Sequence, residues 1–478
     1  MSVAVSQRDG YGLDAVARAR LERHAERAVR LARRHGEALA SVTIAVDPAV
    51  DPVAVVAAAR RESEPWFAME QPDSEGFALG AVGCARAIEG AGPQRFGEAA
   101  RAWRDLAAAA AADPVDGPSG SGPVALGGFA FAPQGGAVPH WSGFAPASLH
   151  VPELSIVRRA GEARLTVCVL ARPDDDPAAL AELGAARVAA LRDVPLPLLD
   201  PSPVESARVA SAMPPEHYVG AVARAVERIR AGALEKVVLA REVLVHAGVP
   251  HDAAAVLGVL RDAFPSCFVF AVGRGEKAFV AASPELLVRR QGLRASTLAL
   301  AGTTRRSADP AVDDHLGEQL LRSTKDREEQ AIVTRRIERT LRPHAVWVAA
   351  ADEPVVVRMA NVQHLATPIR AQLRQPIGVV ELAGALHPTP AVGGEPFAAA
   401  EPLIPELEGL DRGWYAGPVG WTDMLGDGEF CVALRCALLE GREARCYAGV
   451  GVVADSDPQA ELAETEAKLG ALLPVLSA

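Results

Sequence analysis

The chain has 478 residues, 49% of them hydrophobic and 23% charged, and its formal net charge is -11. The composition is that of a folded globular protein, and the acidic balance argues against a nucleic-acid or anionic-membrane binder, because such proteins need clustered positive charge. The six scattered cysteines form no zinc or C-x-x-C spacing, and we find no signal peptide or membrane-length apolar run. These features predict a soluble cytoplasmic protein that binds neither nucleic acid nor membrane.

The first 200 residues predict alternating sheet and helix with little obvious chemistry. Runs such as VALGGFAFAP (124–133) and ARLTVCVLA (163–171) are typical of strands. Two segments are rich in turn-forming residues: ADPVDGPSGSGP (112–123) and DVPLPLLDPSP (193–203). The second carries four prolines, which indicates an extended connector.

An amphipathic helix is predicted over PPEHYVGAVARAVERIRAGALE (214–235), and it leads directly into the apolar strand that begins at Lys236. Lysine is rarely buried unless it is paired. From this segment alone, Lys236 is more often an edge residue that reaches water than a buried proton acceptor. Both interpretations stay open at this point.

The middle of the chain carries two segments that are hard to explain as scaffold. LALAGTTRR (298–306) leaves an apolar strand for a turn of small residues, whose exposed amides suit an anion. VQHLATPI (362–369) places His364 between apolar residues, where a histidine is more often structural than catalytic. Between these segments, residues 313–343 predict one long helix ended by Pro343.

Near the C-terminus, a glycine- and aromatic-rich turn (411–421) precedes the predicted strand FCVALRCALLEG (430–441). Arg435 interrupts this apolar strand, and an inward-facing arginine requires a buried anion from the protein or from a ligand. These oddities in one half of the chain predict a single polar pocket.

The last helix, which we expect to begin at Pro458, carries Glu461, Glu464 and Lys468 on one side. The simplest interpretation is a solvated surface with an ion pair. However, the strand before it, CYAGVGVVADSDP (446–458), contains two glycines, which often mark a close ligand. Magnesium needs one or two carboxylates plus substrate oxygens, so a metal site becomes possible if another helix supplies a carboxylate. Candidates in KDREEQ are Asp326, Glu328 and Glu329.

Taken together, these segments resemble the chorismate-utilising enzymes, a family that includes isochorismate synthases, salicylate synthases and component I of anthranilate and aminodeoxychorismate synthases. The resemblance covers residues 214–475, and the first 200 residues match only loosely. It implies an α/β fold of one large domain, in which two mainly antiparallel sheets pack together with helices outside. Residues 1–200 would be the N-terminal part of this fold and residues 205–478 the chorismate-binding catalytic region. The matching segments, in order, are EKVVLAR, SPELLVRR, LAGTTRR, KDREEQ, VQHLATP, LHPTP, RGWYAGPVGW, VALRCALL and AGVGVVADSDPQAELAETEAK.

The resemblance also implies a magnesium-dependent site and assigns roles by motif position. Lys236 would be the general base for water and Glu285, in SPELLV, the general acid on the opposite side of the substrate. Glu285 would then need a raised pKa. The expected metal ligands are Glu329, Glu461 and Glu464, and the expected substrate-binding residues are Gly302, Thr303, His364, Tyr415, Arg435, Gly449 and Lys468.

Two positions depart from patterns seen in the family and bear on the activity. Gln330 follows the expected metal ligand where the family often has histidine, which puts a neighbouring hydrogen bond in question. Ala301 stands where aminodeoxychorismate synthases often carry a nucleophilic lysine, so attack by water fits better. The residues of the motifs VQHLATP, LHPTPAVGG and GWYAGPVGW resemble those of isochorismate synthases most. The alternatives are a salicylate synthase, then an anthranilate synthase component I or a non-catalytic relative. We expect a monomer that binds chorismate, and the pathway (menaquinone, siderophore or another product) is left open.

Overall fold

A computed structural model describes residues 11–200, 207–359 and 362–477. The helices in these ranges are α1 Ala15–His35, α2 Pro52–Ala59, α3 Arg95–Ala108, α4 Pro177–Ala189, α5 Pro215–Arg230, α6 Ala253–Ala263, α7 Pro310–Arg322, α8 Thr324–Leu341, α9 Val379–Leu386, α10 Phe397–Glu408, α11 Pro458–Leu469 and α12 Leu473–Leu476. The strands are β1 Ala38–Ala45, β2 Trp66–Gln71, β3 Phe77–Val82, β4 Arg86–Gly90, β5 Val124–Phe129, β6 Ala147–Val151, β7 Leu154–Arg159, β8 Glu162–Ala171, β9 Arg208–Ser211, β10 Lys236–His246, β11 Phe268–Arg274, β12 Lys277–Ser283, β13 Leu286–Gln291, β14 Arg294–Arg305, β15 Ala345–Ala350, β16 Val355–Arg358, β17 Val362–Leu373, β18 Gly394–Glu395, β19 Pro418–Asp423, β20 Gly428–Val432, β21 Cys436–Glu440 and β22 Glu443–Val452.

The strands of the described chain form two large antiparallel sheets. The 12-stranded sheet has the order β1-β8-β7-β3-β2-β11-β12-β21-β22-β10-β18, with β9 paired to the far end of β10. The 10-stranded sheet has the order β15-β17-β14-β13-β20-β19-β5-β6-β4, with β16 paired to β17. Strands from the first 200 residues join both sheets, so the N-terminal part is woven into the same fold as the catalytic region.

Aromatic side chains fill the space between the two sheets. Phe77 of β3 stacks on Trp421 of β19, with ring centroids 6.1 Å apart. Phe279 of β12 meets Trp414 edge to face, just before β19. Such rings bury large apolar areas and dominate core energetics. This architecture confirms the predicted fold class of two packed antiparallel sheets with helices outside.

The segment FCVALRCALLEG does not form the single strand that we predicted. It forms β20 in one sheet and β21 in the other, and Arg435 lies between them with a positive φ of 47°. The chain crosses between the two sheets a second time, from β12 to β13, and Glu285 lies at that crossing. The two crossings are hydrogen-bonded to each other, from Val432 N to Glu285 O (3.0 Å) and from Ala282 N to Arg435 O (3.1 Å). Glu285 and Arg435 are therefore held at the junction of the two sheets.

Three further predictions about local structure need correction. Residues 313–343 lie in two helices, α7 and α8, because Ser323 ends the first and its Oγ accepts from Asp326 N at the start of the second. The final helix begins at Pro458 as predicted but stops at Leu469. LALAGTTRR forms no turn, because β14 continues through it with a bulge at Gly302.

The helix over PPEHYVGAVARAVERIRAGALE and the strand that begins at Lys236 are confirmed as α5 and β10. The proline-rich connector has no regular structure over residues 193–200, and its last residues lie outside the described ranges, as does position 205 at the start of the expected catalytic region. Among the described residues, no helix is both long and apolar enough to cross a membrane.

Candidate active site

One cavity collects the predicted site residues from eight separate parts of the chain. Eleven of the twelve line it, and only Lys236 does not. The lining comes from the two sheet crossings, the β14 bulge, the first two turns of α8, β17, the segment before β19, the C-terminal half of β22 and one side of α11. The lining residues from the prediction are Glu285, Gly302, Thr303, Glu329, His364, Tyr415, Arg435, Gly449, Glu461, Glu464 and Lys468.

Lys236 lies completely buried behind the cavity wall, at the first residue of β10. Its Nζ is 2.8 Å from Glu329 Oε1, so the lysine is paired and does not reach bulk water. Gly451 of β22 makes this contact possible, because a Cβ there would stand 2.3 Å from Glu329 Oε1 and 2.7 Å from Lys236 Cε. The interpretation of Lys236 as an edge lysine is therefore wrong. The glycine in the strand leaves room for two functional side chains.

Each of the three predicted metal carboxylates is paired with a lysine. Besides the Lys236–Glu329 pair, Lys325 Nζ lies 3.0 Å from Glu461 Oε1, and Lys468 Nζ lies 2.8 Å from Glu464 Oε1. Burial raises the pKa of Glu329, but the neighbouring lysines outweigh that effect and hold it below its ordinary value. This carboxylate is therefore ionised at neutral pH.

Glu285 has the opposite protonation state. Burial raises its pKa from 4.5 to about 8, and the positive charges of Lys236 and Lys468 only partly oppose this effect. Its side chain is 3% exposed, and it lines the cavity from the junction between the sheets. A carboxyl group of this kind carries its proton at neutral pH and can donate it.

Arg435 and His364 form a directed pair at another wall. Arg435 Nη2 lies 2.6 Å from His364 Nε2, and since arginine can only donate, that ring nitrogen is the acceptor. Nδ1 then carries the ring proton and lies 3.3 Å from Gly302 O and 3.2 Å from Thr303 Oγ1. Burial, together with Arg435 and Lys468, holds the pKa of His364 well below its ordinary value, so the ring is neutral. Arg435 Nη1 has no hydrogen-bond partner among the described residues, and no described carboxylate forms an ion pair with this guanidinium.

Tyr415, Gly449 and Lys468 close the remaining side. Tyr415 stacks on Tyr447 with centroids 5.3 Å apart, and its hydroxyl would be 2.8 Å from a Cβ at position 449, so glycine is required there. Lys468 Nζ donates to Gly449 O over 3.0 Å, which ties α11 to β22. The cavity thus presents Arg435 and Tyr415 as donors, and a set of carboxylates that lysines already contact.

Comparisons with known proteins agree with this geometry. The sequence model of the family described as chorismate binding enzymes matches residues 24–477. The chain belongs to this family. A relative, the salicylate biosynthesis isochorismate synthase of Pseudomonas aeruginosa, is 40% identical over 441 residues, which is 92% of this chain and 90% of that protein. Isochorismate synthase MenF of Bacillus subtilis is 37% identical over 75% of each chain. The structure of MenF, the menaquinone-specific isochorismate synthase of Escherichia coli, aligns with a TM-score of 0.76 at 27% identity, over 94% of this chain and 99% of that one.

The resemblance to the chorismate-utilising enzymes implies a magnesium site, and the side chains of the cavity can be compared with the ligands that magnesium prefers. Their chemistry fits that ion. Carboxylate oxygens from α8 and α11 line one cavity, and a hard cation prefers such oxygens. Among residues 11–200, 207–359 and 362–477, no three histidine, cysteine, aspartate or glutamate side chains are gathered into a ready-made metal site. In this structure lysines hold the carboxylates, so a cation would have to share or displace those contacts.

The structure places two of the three candidate carboxylates of KDREEQ on the cavity. Asp326 and Glu329 line the cavity, whereas Glu328 is exposed and faces away. Sequence reasoning missed Lys325, which lies on the cavity wall and pairs with Glu461. Lys325 directly precedes Asp326 in KDREEQ, and this adjacency was the sequence signal that pointed to the cavity. Gln330 keeps a buried hydrogen-bonding role, because its Nε2 donates to Ala299 O and Thr367 Oγ1, both at 2.9 Å.

Proposed function

We propose that this protein is an isochorismate synthase, which converts chorismate to isochorismate. In this reaction water adds at C2 of the ring, the ring double bonds shift, and the C4 hydroxyl leaves as water. Atoms balance, because one water enters and one leaves. The observation that carries the proposal is one cavity that contains a glutamic acid protonated at neutral pH, Glu285, and an arginine without a carboxylate partner among the described residues, Arg435, with the buried Lys236 directly behind its wall.

The two proton transfers need groups in opposite states on well-separated atoms of the substrate. Glu285 supplies the proton that the departing C4 hydroxyl requires, and burial is what keeps that proton on the carboxyl group at neutral pH. Lys236 is the residue placed to accept the proton of the attacking water, and to do so its amine must be neutral and released from the ion pair with Glu329. In the structure that pair holds the amine in place behind the cavity wall.

The substrate is a dicarboxylate, and the cavity offers donors for negative charge. Arg435 Nη1 has no partner among the described residues and the neighbouring His364 is neutral, so the arginine keeps its full charge for a ligand carboxylate. Lys468 adds a second positive charge on the same cavity, and Tyr415 adds a hydroxyl donor. A carboxylate bound here would satisfy a buried guanidinium that the protein leaves open.

We also propose that magnesium is the cofactor, held by Glu329 and Glu464 with Glu461 assisting. When bound, such an ion neutralises carboxylate charge and orients the substrate. The role of this chain's residues is to supply the oxygens: three glutamates on two helices line one side of the cavity. The monomeric state and the cytoplasmic location remain predictions.

The test is product identification. Purified protein is incubated with chorismate and magnesium chloride, and the products are separated by chromatography, with a chelator-treated sample as the control. We expect isochorismate to accumulate only when magnesium is present. Salicylate and pyruvate as the main products would favour the salicylate synthase alternative, and anthranilate formed with ammonium would favour the amine-using one. Unchanged chorismate would contradict an enzymatic role on this substrate.

A further inference from the structure

A second cavity, which we call the α3–α10 cavity, lies outside the candidate active site. Its volume is about 560 Å³. It is enclosed by the first turn of α3, residues 131–135, the end of α9, the start of α10 and residues 409–413. None of the predicted catalytic, substrate-binding or metal-binding residues lines it.

The α3–α10 cavity contains a buried positive charge that forms no ion pair with a carboxylate of the described residues. Arg95, the first residue of α3, is 4% exposed and lines the cavity. Its Nη2 donates to Ala130 O (3.0 Å) and Phe131 O (3.3 Å) and its Nη1 to Gly92 O (3.4 Å), but its Nε has no hydrogen-bond partner among the described residues. Burial lowers the pKa of Arg95 to about 10, which still leaves it charged at neutral pH. A buried cation of this kind calls for an anion.

His387 places a second unsatisfied nitrogen beside Arg95. Its Nε2 lies 3.0 Å from Phe131 O, the same carbonyl that accepts from Arg95, so both side chains meet at one point of the wall. Burial lowers the pKa of His387 to about 3, so the ring is neutral and Nε2 carries its proton. Nδ1 is then a buried acceptor with no partner among the described residues, so it would accept from a donor on the ligand and would not bind the ligand's carboxylate. The polar end of the cavity thus offers a ligand one cation, from Arg95, and one hydrogen-bond acceptor, from His387.

The rest of the wall is aromatic. Phe131 meets His387 edge to face at 5.7 Å and Phe397 edge to face at 6.5 Å. Phe96 stands 5.9 Å from the His387 ring, and all three phenylalanines line the cavity. Ring edges and faces arranged in this way favour a flat apolar guest, because aromatic pairs gain from tilted and offset contacts. A planar ring that carries one negative group could place its ring against these phenylalanines and its charge against Arg95.

Three other charged residues line the α3–α10 cavity, and two of them are already engaged. Arg412 forms an ion pair with Glu408 through both Nε and Nη2. Asp411 accepts from four backbone amides, those of residues 136, 137, 138 and 413. Glu401 is solvent-exposed, and its negative charge favours the charged form of Arg95 without forming an ion pair with it. The cation of Arg95 is the charge left for a ligand.

We propose that the α3–α10 cavity is a second ligand site, which binds a small aromatic carboxylate. The ligand carboxylate lies against Arg95, and its ring lies among Phe96, Phe131 and Phe397. The site is separate from the chemistry at Lys236 and Glu285, so the proposal does not depend on the proposed function.

The test is calorimetric titration of the full chain with benzoate, with benzamide and cyclohexanecarboxylate as matched probes. All titrations are repeated in Arg435→Ala protein, in which the carboxylate contact of the candidate active site is removed. We expect saturable benzoate binding in both proteins, and weaker binding of both comparison probes, since one lacks the charge and the other the flat ring. Loss of benzoate binding in Arg435→Ala, or equal binding of benzamide and benzoate, would overturn the proposal.

Two substitutions test the charge directly. Arg95→Gln should weaken benzoate binding roughly tenfold or more, the loss typical of a hydrogen bond to a charged group, and should leave benzamide unchanged. Because Arg95 also bonds backbone carbonyls, that variant could misfold, and Glu401→Gln at the exposed rim avoids the difficulty. Glu401→Gln should tighten benzoate about two- to fivefold, as expected for relief of a screened like charge, and should leave benzamide unchanged. Unaltered benzoate affinity in either folded variant would contradict the site.

Discussion

Lys236 Nζ and Glu329 Oε1 lie 2.8 Å apart in a space that Gly451 leaves open, and the lysine is completely buried there. Removing one partner of a buried pair is strongly destabilising, because the other charge is left uncompensated. Any test of Lys236 as the base has to separate this structural contribution from catalysis.

Lys236→Gln makes that separation. The glutamine amide can still donate to Glu329, so we expect the variant to fold, but an amide cannot accept the proton of the attacking water. Turnover with water should fall by about 10²–10⁴-fold, while the affinity for chorismate changes little, since Arg435 and Lys468 remain. Thermal unfolding, chorismate binding and turnover are measured on the same preparation. Lys236→Ala is the harsher companion, and near-normal turnover in folded protein of either variant would make Lys236 a structural residue only.

Glu285 predicts a pH dependence with a definite sign. Its pKa is raised from 4.5 to about 8, so the proton needed by the leaving hydroxyl is present below about pH 8 and is lost above it. We expect kcat to fall on the alkaline side of about pH 8, and Glu285→Gln, which has no acidic proton, to be inactive at every pH. A wild-type rate that stays flat well above that pH would show that Glu285 is not the acid.

The same raised pKa affects stability. Between pH 4.5 and about 8 the folded protein holds a proton on Glu285 that the unfolded chain releases, so stability falls as the pH rises through this window. Glu285→Gln removes this loss, and the gap in Tm between variant and wild type should grow in favour of the variant over the same range.

Most of the residues that we named from the sequence line one cavity, and the local motifs explain why they could be named. The motifs that carry Glu329, Glu464 and Arg435 are local, and a side chain's chemistry and its spacing on one helix can be read from the sequence. Their convergence on one cavity came from the resemblance to a family, because no local pattern says which strands become neighbours.

The errors have a common physical origin. Arg435 was assigned to a strand because the residues on both sides are apolar, yet the chain changes sheets there, and only the hydrogen bonds between the two crossings show it. Ser323 lies inside a continuous helical pattern in the sequence, whereas its side chain caps a new helix in the structure. Lys325 was missed because its partner, Glu461, is 136 residues away.

Arg435→Ala tests the anion-binding wall. Within the part of the chain that the structure describes, Nη1 has no partner and no carboxylate pairs with the guanidinium, so removing it strands no charge there and we expect the fold to survive. The KM for chorismate should rise roughly ten- to a hundredfold through loss of a charge-assisted contact. Steady-state kinetics and thermal unfolding are the measurements. A variant that unfolds, or one whose KM is unchanged, would assign Arg435 to the scaffold through its contact with His364.

Glu464→Gln tests the metal proposal, with Glu328→Gln as a matched control because Glu328 is exposed and faces away from the cavity. Replacing a charged oxygen ligand should weaken magnesium at least about tenfold, both in calorimetric titration and in the magnesium dependence of turnover. The control should match wild type in both measurements. Equal magnesium affinity in Glu464→Gln and Glu328→Gln would remove Glu464 from the ligand set.

The central claim is that water attacks C2 of chorismate while the C4 hydroxyl leaves, and isotopic labelling tests it most directly. The wild-type protein is incubated with chorismate and magnesium in ¹⁸O-labelled water, and the product is analysed by mass spectrometry. The account predicts isochorismate that carries one solvent oxygen, located in the C2 hydroxyl. Isochorismate without solvent oxygen, or chorismate that is not consumed, would contradict it.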